Sequence, residues 1–235
     1  PDAPPGWAPM FDGAPAVDVA RTDDIMALVA AGRPAVLPEL QRRAGFAPAE
    51  AWTAEALAGG ALGGRVVKVS VSQSGRFDGP ERGPLWGLGD DDEVLVRPPE
   101  THMRLADLLA LLRAETREAF YLEYNALHQY LGEELRAMAP APADAAGLRP
   151  LVQNVWLGKG GTASPLHYDD YENLLAQVRG TKELLLFPPA DHRNLYYTAR
   201  AKGTLRYRWP DTWERKAIDG DAREAKVVFG SSVDL

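Results

Sequence analysis

The stretch LVQNVWLGKGGTASPLHYDDYENLLAQVRGTKELLLFPP, residues 151–189, decides the predicted fold of this chain. It contains three apolar runs, at 151–157, 174–178 and 182–187, and each is followed by Gly or Pro within a few residues. Short apolar runs that recur at regular spacing between turn residues are typical of antiparallel strands. The stretch therefore favours a β sandwich or barrel over a parallel sheet with crossover helices.

Upstream of residue 150 the pattern alternates between short helices and short strands. Helices are predicted at 22–32, 48–58, 105–112 and 132–138. Thr22 is the expected N-cap of the first helix and Gly32 its end. Strands are predicted at 34–38, 65–71 and 120–124, the second with Val67, Val69 and Val71 on one side. The polar tail from residue 191 onward carries no assignment.

These patterns divide the chain into two parts. Residues 1–17, rich in Pro, Ala and Gly, are interpreted as an extended arm. Residues 18–235 form one predicted domain, whose helix and strand portion covers 18–149 and whose barrel core covers 150–235.

The composition of the chain limits the metal ligands and binding partners that it could have. The chain has no Cys, so any metal must be held by His, Asp, Glu or backbone oxygen. With 26 basic and 33 acidic residues its net charge is −7, which argues against a duplex-binding surface. No apolar run approaches the length needed to cross a bilayer. We expect an intracellular protein, cytoplasmic or nuclear.

His167-Tyr168-Asp169 is the strongest candidate for a metal site. On an extended strand residues i and i+2 project to the same face, so the imidazole and the carboxylate could bind one metal. With a distant histidine they would form the facial triad that leaves iron positions open. A surface histidine bonded to a nearby carboxylate fits the same three residues. Likewise, Lys182 at the head of an apolar run is either a surface lysine or an ammonium that needs an anion.

The segment from His167 to Pro189 resembles the Jumonji-C, cupin-like Fe(II)/2-oxoglutarate oxygenases. The shared pattern is H-x-D, then N-L, then Q-x-x-G-x-K, then F-P-P. It is most similar to the hydroxylase-type branch, typified by the asparaginyl hydroxylase factor inhibiting HIF. Weaker agreement covers most of residues 20–200. The resemblance implies a double-stranded β-helix, a jelly roll, in a mainly β chain with some α structure, C-terminally incomplete here.

The resemblance also implies roles for individual residues. His167 and Asp169 would bind Fe(II), and Lys182 would pair with the distal carboxylate of the cosubstrate 2-oxoglutarate. Ser164 and Tyr121 stand where the family has hydroxyl groups that contact this carboxylate. Asn173 matches a family asparagine that lines the pocket, although a role in turning the strand fits it equally.

One family feature is missing from the sequence. The second metal-binding histidine of the family lies on a late strand, in a motif like P-x-x-W-x-H, which residues 170–235 do not contain. His192 follows Pro188 and Pro189 in an expected loop and is a poor third ligand. We therefore expect the sequence to be a fragment without its last barrel strands; if it is complete, the triad is broken.

The predicted function is a dioxygenase that hydroxylates a protein side chain and releases succinate and CO2. Two alternatives remain: a non-catalytic cupin-like binding module, and an oxygenase that modifies tRNA. For the last, a local basic stretch offers a surface: Arg193, Arg200, Lys202, Arg206 and Arg208. A protein substrate is the expected partner, nucleic acid is disfavoured, no membrane is expected, and a homodimer through a missing C-terminal segment is possible by analogy.

Overall fold

The computed structural model of the protein describes residues 24–38, 40, 52–126, 151–169, 171–195, 197–216 and 227–231. Its α-helices are α1 (Ile25–Ala31), α2 (Ala54–Ala58), α3 (Gly60–Gly63) and α4 (Leu105–Arg113). Two 3₁₀ helices span Gly83–Trp86 and Pro189–Leu195. The strands are β1 (Val66–Ser72), β2 (Gly79–Arg82), β3 (Glu93–Arg97), β4 (Glu100–Arg104), β5 (Ala119–Ala126), β6 (Asn154–Gly158), β7 (Tyr197–Arg208), β8 (Thr212–Lys216) and β9 (Val227–Ser231).

The strands form two sheets. Sheet one has the order β4-β1-β5-β6 and is antiparallel throughout. Sheet two has the order β2-β3-β7-β8, and β9 also pairs with β7; only the β3–β7 pair is parallel. Two mostly antiparallel sheets with few helices agree with a jelly-roll, β-rich fold, which confirms the predicted fold class.

The main core lies on one side of sheet one. Val67, Val69 and Val71 of β1 are fully buried, as their alternation predicts. They pack with Leu105 and Leu108 of α4, whose spacing of three places both on one helix face. The opposite side of sheet one is consequently left to the polar residues of β1 and β5, and this side carries the candidate site.

Local signals explain where several elements begin and end. Asp24 caps α1 by accepting a hydrogen bond from the Ala27 N–H at 3.1 Å, and Gly32 ends it with φ of 61°. Thr53 caps α2 through the Ala56 N–H at 3.1 Å. The predicted start at Thr22 lies outside the described residues, and the described cap is Asp24. Pro48, the arm at 1–17 and the helix at 132–138 also lie outside them.

Three sequence-based strand predictions are wrong in this structure. Residues 174–178 and 182–187 have no assigned secondary structure, and 34–38 contains a single bridge residue, Val36, and no strand. A strand requires a run of residues paired with a neighbouring strand, and none of these segments has such a ladder within the described residues. Burial nevertheless alternates along 182–187, where Leu185 and Phe187 are half-buried while Leu184 and Leu186 are exposed.

The tail that carried no assignment forms β7, β8 and β9. β7 and β8 make a hairpin in which Arg208 lies opposite Thr212. The Tyr207 hydroxyl donates to the Pro210 carbonyl within the connection, at 2.6 Å. Of the helices in the described ranges, none is long and apolar enough to span a membrane.

Candidate functional site

The candidate site lies on the polar face of sheet one, which we define by Lys68, Ser70 and Ser72 of β1 and Tyr121 and Glu123 of β5. Ser70 lies directly opposite Tyr121 in the ladder, so their side chains share a face. Alternation adds the others to that face, because their neighbours Val69, Val71, Phe120 and Leu122 point into the core.

Tyr121 is held by contacts on two sides. Its ring centroid lies 5.1 Å from that of Phe77. On the other side it lies against Gly158 of β6, where a Cβ atom would come within 2.6 Å of Tyr121 Cδ2. Only glycine leaves room for the ring at this position, so the sequence of β6 fixes where the Tyr121 ring can lie.

The segment that carries Ser164 and His167 is hydrogen-bonded to the loop that carries Phe77. The Phe77 N–H donates to the Ala163 carbonyl, and the Ala163 N–H donates to the Gly75 carbonyl, both at 3.0 Å. Ser164 follows at once and is exposed. Since Phe77 also packs on Tyr121, these bonds bring the His167 segment to the end of sheet one where Tyr121 lies.

His167 is exposed, and its ring orientation is set by the backbone. Its Nδ1 lies 2.8 Å from the Pro165 carbonyl oxygen. A carbonyl only accepts, so Nδ1 carries the proton and the Nε2 lone pair of the neutral ring is available to a metal. Residues 167–169 belong to no strand, so the i and i+2 geometry of a strand, on which the metal-site hypothesis was argued, does not apply to His167 and Asp169.

Asp169 is hydrogen-bonded to Asn173. The Asn173 side-chain amide donates to Asp169 Oδ2 at 2.9 Å and lies 3.2 Å from the Tyr171 carbonyl oxygen. The bond occupies one carboxylate oxygen and leaves the other as a potential ligand. In this structure Asn173 therefore orients Asp169, an arrangement that the sequence pattern did not suggest.

Lys182 lies over the indole of Trp156, with Nζ 5.9 Å from the ring centroid. Trp156 and Gly158 alternate on β6, so Trp156 lies beside the position of Tyr121 on the same side of the sheet. The Lys182 side chain is exposed to solvent. Nearby protein atoms nevertheless remove part of its water shell, and this desolvation lowers the pKa of Lys182. A cation in this environment is stabilised by an anion.

A family model described as a cupin-like domain matches residues 22–233. The chain belongs to the cupin-like domain family.

The curated relatives of this cupin-like chain include Jumonji-C domain proteins and lysine-specific demethylases. It is 58% identical over 41 residues to Jumonji C domain-containing protein 5 of Drosophila melanogaster, covering 17% of this chain and 10% of that protein. It is 54% identical over 43 residues to lysine-specific demethylase 8 of Danio rerio, covering 18% and 11%. It is 28% identical over 142 residues to JmjC domain-containing protein E of Dictyostelium discoideum, covering 55% and 40%. The chain thus spans well under two thirds of these relatives.

Two carboxyl groups near the site of the cupin-like chain were missed by the sequence analysis. Glu123 is 8% exposed, and burial raises its pKa, with Asp78 adding to the effect. Burial also raises the pKa of Asp78, against the opposing influence of Arg97, His167 and Lys202. The alternation Tyr121-Leu122-Glu123 could have placed Glu123 beside Tyr121; no sequence signal marks Asp78.

The two candidate donor atoms are of the types that iron binds, because one imidazole nitrogen and one carboxylate oxygen are ligands of the facial triad. Among the described residues of the cupin-like chain, no group of three His, Asp or Glu side chains could hold a metal. The side chain of His192 lies outside the described part. His167 and Asp169 therefore match two of the three protein ligands in residue type.

Proposed function

We propose that this protein is an Fe(II)- and 2-oxoglutarate-dependent dioxygenase that hydroxylates a protein side chain. The observation that carries the proposal is the pair of oriented ligands, His167 with Nε2 available and Asp169 with one free oxygen. Membership of the cupin-like family and Jumonji-C relatives support it. A protein substrate is supported by relatives whose names specify lysine. The hydroxylase-type branch remains part of the proposal.

In this proposal His167 and Asp169 would hold the iron, and the chemistry supplied by Fe(II) with 2-oxoglutarate is dioxygen activation coupled to decarboxylation of the keto acid. One oxygen atom enters the substrate C–H bond and the other enters succinate, with CO2 released, so the reaction balances. The chain's own residues bind and orient these partners. The Pro165 carbonyl keeps the proton on Nδ1, and Asn173 holds the carboxylate of Asp169.

Lys182, Tyr121 and Ser164 are proposed to bind the distal carboxylate of 2-oxoglutarate. The partly desolvated ammonium of Lys182 gains a counter-ion, which offsets the cost of its desolvation. The buried Tyr121, 9% exposed, adds a hydroxyl held in place by Phe77 and Gly158. Because only the protonated lysine attracts the anion, 2-oxoglutarate affinity should fall as the pH rises through the lowered pKa of Lys182.

The test measures both turnover and binding. Purified protein with ferrous ion, ascorbate and candidate peptides should form succinate, and His167→Ala should abolish it. His102→Ala, an exposed histidine of β4, is the matched control and should retain activity. Titration of 2-oxoglutarate with Mn(II) in place of iron should show about tenfold to hundredfold weaker binding for Lys182→Met, since a hydrogen bond to a charged group is lost, and less loss for Lys182→Arg.

The possible results distinguish a dioxygenase from a non-catalytic binding module. Succinate formation no greater than that of His167→Ala contradicts a dioxygenase. Tight 2-oxoglutarate binding without turnover would instead favour a non-catalytic cupin-like module. This second candidate is consistent with one observation, that the described residues contain no group of three side chains that could hold a metal.

A further inference from the structure

Cations of the tail are gathered on one side of sheet two. β7 carries Arg200, Lys202, Arg206 and Arg208 at even positions, so their side chains share one face. The ladder places Arg97 of β3 and Lys216 of β8 on either side of Thr204, which extends this face across three strands. We call Arg97, Lys202, Arg206, Arg208 and Lys216 the basic face.

The other side of sheet two is apolar, which fixes the direction of the basic face. Val94 and Val96 of β3 are buried there, and a Cβ on Gly203 would come within 2.7 Å of Val94 Cγ1 and of the Trp86 ring. Because alternate residues of β7 point to opposite sides, the basic face points away from this packed side.

Carboxylates neutralise only part of this cationic side. Arg200 is 5% exposed and pairs with Glu93 at 2.8 Å, so this member of the predicted RNA-binding stretch is a structural residue. Arg97 pairs with Asp78 at 3.5 Å, and Arg208 lies 4.0 Å from Glu214. Within the described ranges, no ion pair joins Lys202, Arg206 or Lys216 to a carboxylate. Arg206 and Lys216 are exposed in a chain whose net charge is −7.

The basic face begins beside the candidate metal site. Arg97 pairs with Asp78 at 3.5 Å. Asp78 directly follows Phe77, whose N–H donates to the Ala163 carbonyl in the segment that carries His167. From there the face continues along β7 to Arg206 and Arg208, with exposure increasing toward the hairpin. A chain bound along it would therefore have one end close to His167.

We propose that the basic face binds an extended, acidic segment of a protein partner and leads it toward the His167 site. Alternate side chains of β7 and of an extended peptide have the same spacing, roughly 6.6 Å, so carboxylates at every second position match the cations. Glu93 and Glu214 lie on the same side of the sheet; they would repel a continuous phosphate backbone, whereas a peptide can place neutral residues opposite them. The assignment of this partner as the substrate rests on the proposed function.

Fluorescence anisotropy with purified protein tests the proposal. The probe is a fluorescein-labelled peptide of alternating Glu and Ser, compared with a Gln–Ser peptide and an oligouridylate of similar charge. The Glu–Ser peptide should bind best, and added salt should weaken its binding by screening. Arg206→Glu with Lys216→Glu should weaken it about tenfold or more, because two attractions become repulsions. Arg33→Glu with Arg117→Glu, exposed residues outside the basic face, should have little effect.

Three results would overturn the inference. These are no preference for Glu–Ser over Gln–Ser, equal losses in the two double variants, or tighter binding of the oligouridylate, which would mark a nucleic-acid surface. The assay needs neither iron nor 2-oxoglutarate, so the two proposals fail separately. Peptide binding without succinate formation overturns the proposed function, and succinate formation without peptide binding overturns this inference.

Discussion

At the scale of single residues, Glu123 combines burial with a position beside Tyr121. It accepts a hydrogen bond from Ser70, and Arg97 and Lys68 favour its charged form, but desolvation is the largest influence and raises its pKa. A carboxyl with a raised pKa in the folded state contributes stability that is present below its ordinary pKa and is lost as the pH rises through the folded value. Glu123 is therefore a cost to folding at neutral pH.

Glu123→Gln should consequently stabilise the protein at neutral pH, by roughly 1 kcal/mol, since the amide still accepts from Ser70 without a buried charge. The gain should disappear as the pH falls below the ordinary range of a carboxyl. Urea unfolding at several pH values measures this difference. Glu115→Gln, at an exposed position, is the control and should change little. A gain that does not depend on pH would contradict the interpretation.

At the scale of elements, Gly203 of β7 shows how tightly sheet two is packed. A Cβ there would lie 2.7 Å from Val94 Cγ1 and 2.7 Å from Trp86 Cη2, both part of well-packed neighbours. Gly203→Ala should lower the free energy of unfolding by about 1 to 3 kcal/mol, the usual cost of overpacking.

Gly160→Ala is the matched control, because a Cβ there meets nothing within 4 Å and the backbone has no positive φ. Its effect should stay within about 0.5 kcal/mol. Chemical denaturation of both variants provides the comparison. Similar stabilities would show that sheet two can relax around Gly203.

The individual helices and strands also show how much of the fold could be predicted from the sequence. The valine alternation in β1 and the leucine spacing in α4 each bury one face, so each pattern predicts its element correctly. β7 was not predicted because one of its sides carries cations and threonines and the other carries mainly small and aromatic residues, so no clear apolar alternation marks it. The run at 182–187 was mistaken for a paired strand because a pattern reports burial and does not reveal whether a neighbouring strand exists.

Some features of the candidate site could also be predicted from the sequence, and others could not. His167, Asp169 and Lys182 were candidates from their sequence context, and only the family resemblance assigned them roles, since a His-x-Asp triplet alone is too common to identify a metal site. The structure adds what depends on contacts between distant segments. Examples are the Gly158 position that receives Tyr121, the bond from Asn173 to Asp169, and Trp156 beneath Lys182. No local pattern encodes such pairs.

At the scale of the whole molecule, the hairpin of β7 and β8 packs against the core of sheet one. Tyr207 and Trp213 contact this core, and their rings lie 4.9 Å apart. Trp209 lies at the hairpin connection, 62% exposed, with its ring 6.0 Å from that of Phe120. Because the two sheets share apolar contacts in this way, we expect them to unfold together.

Trp213→Ala should therefore destabilise both sheets, lowering the free energy of unfolding by about 3 kcal/mol, as for other large-to-small core changes. Trp209→Ala, a change of the same size at the exposed position, should cost less than about 1 kcal/mol. Unfolding followed by tryptophan fluorescence and by far-ultraviolet circular dichroism should give one coincident transition in the parent protein and in both variants. Separate transitions would contradict joint unfolding of the two sheets, and equal costs for the two tryptophans would contradict a larger contribution of Trp213 to the core.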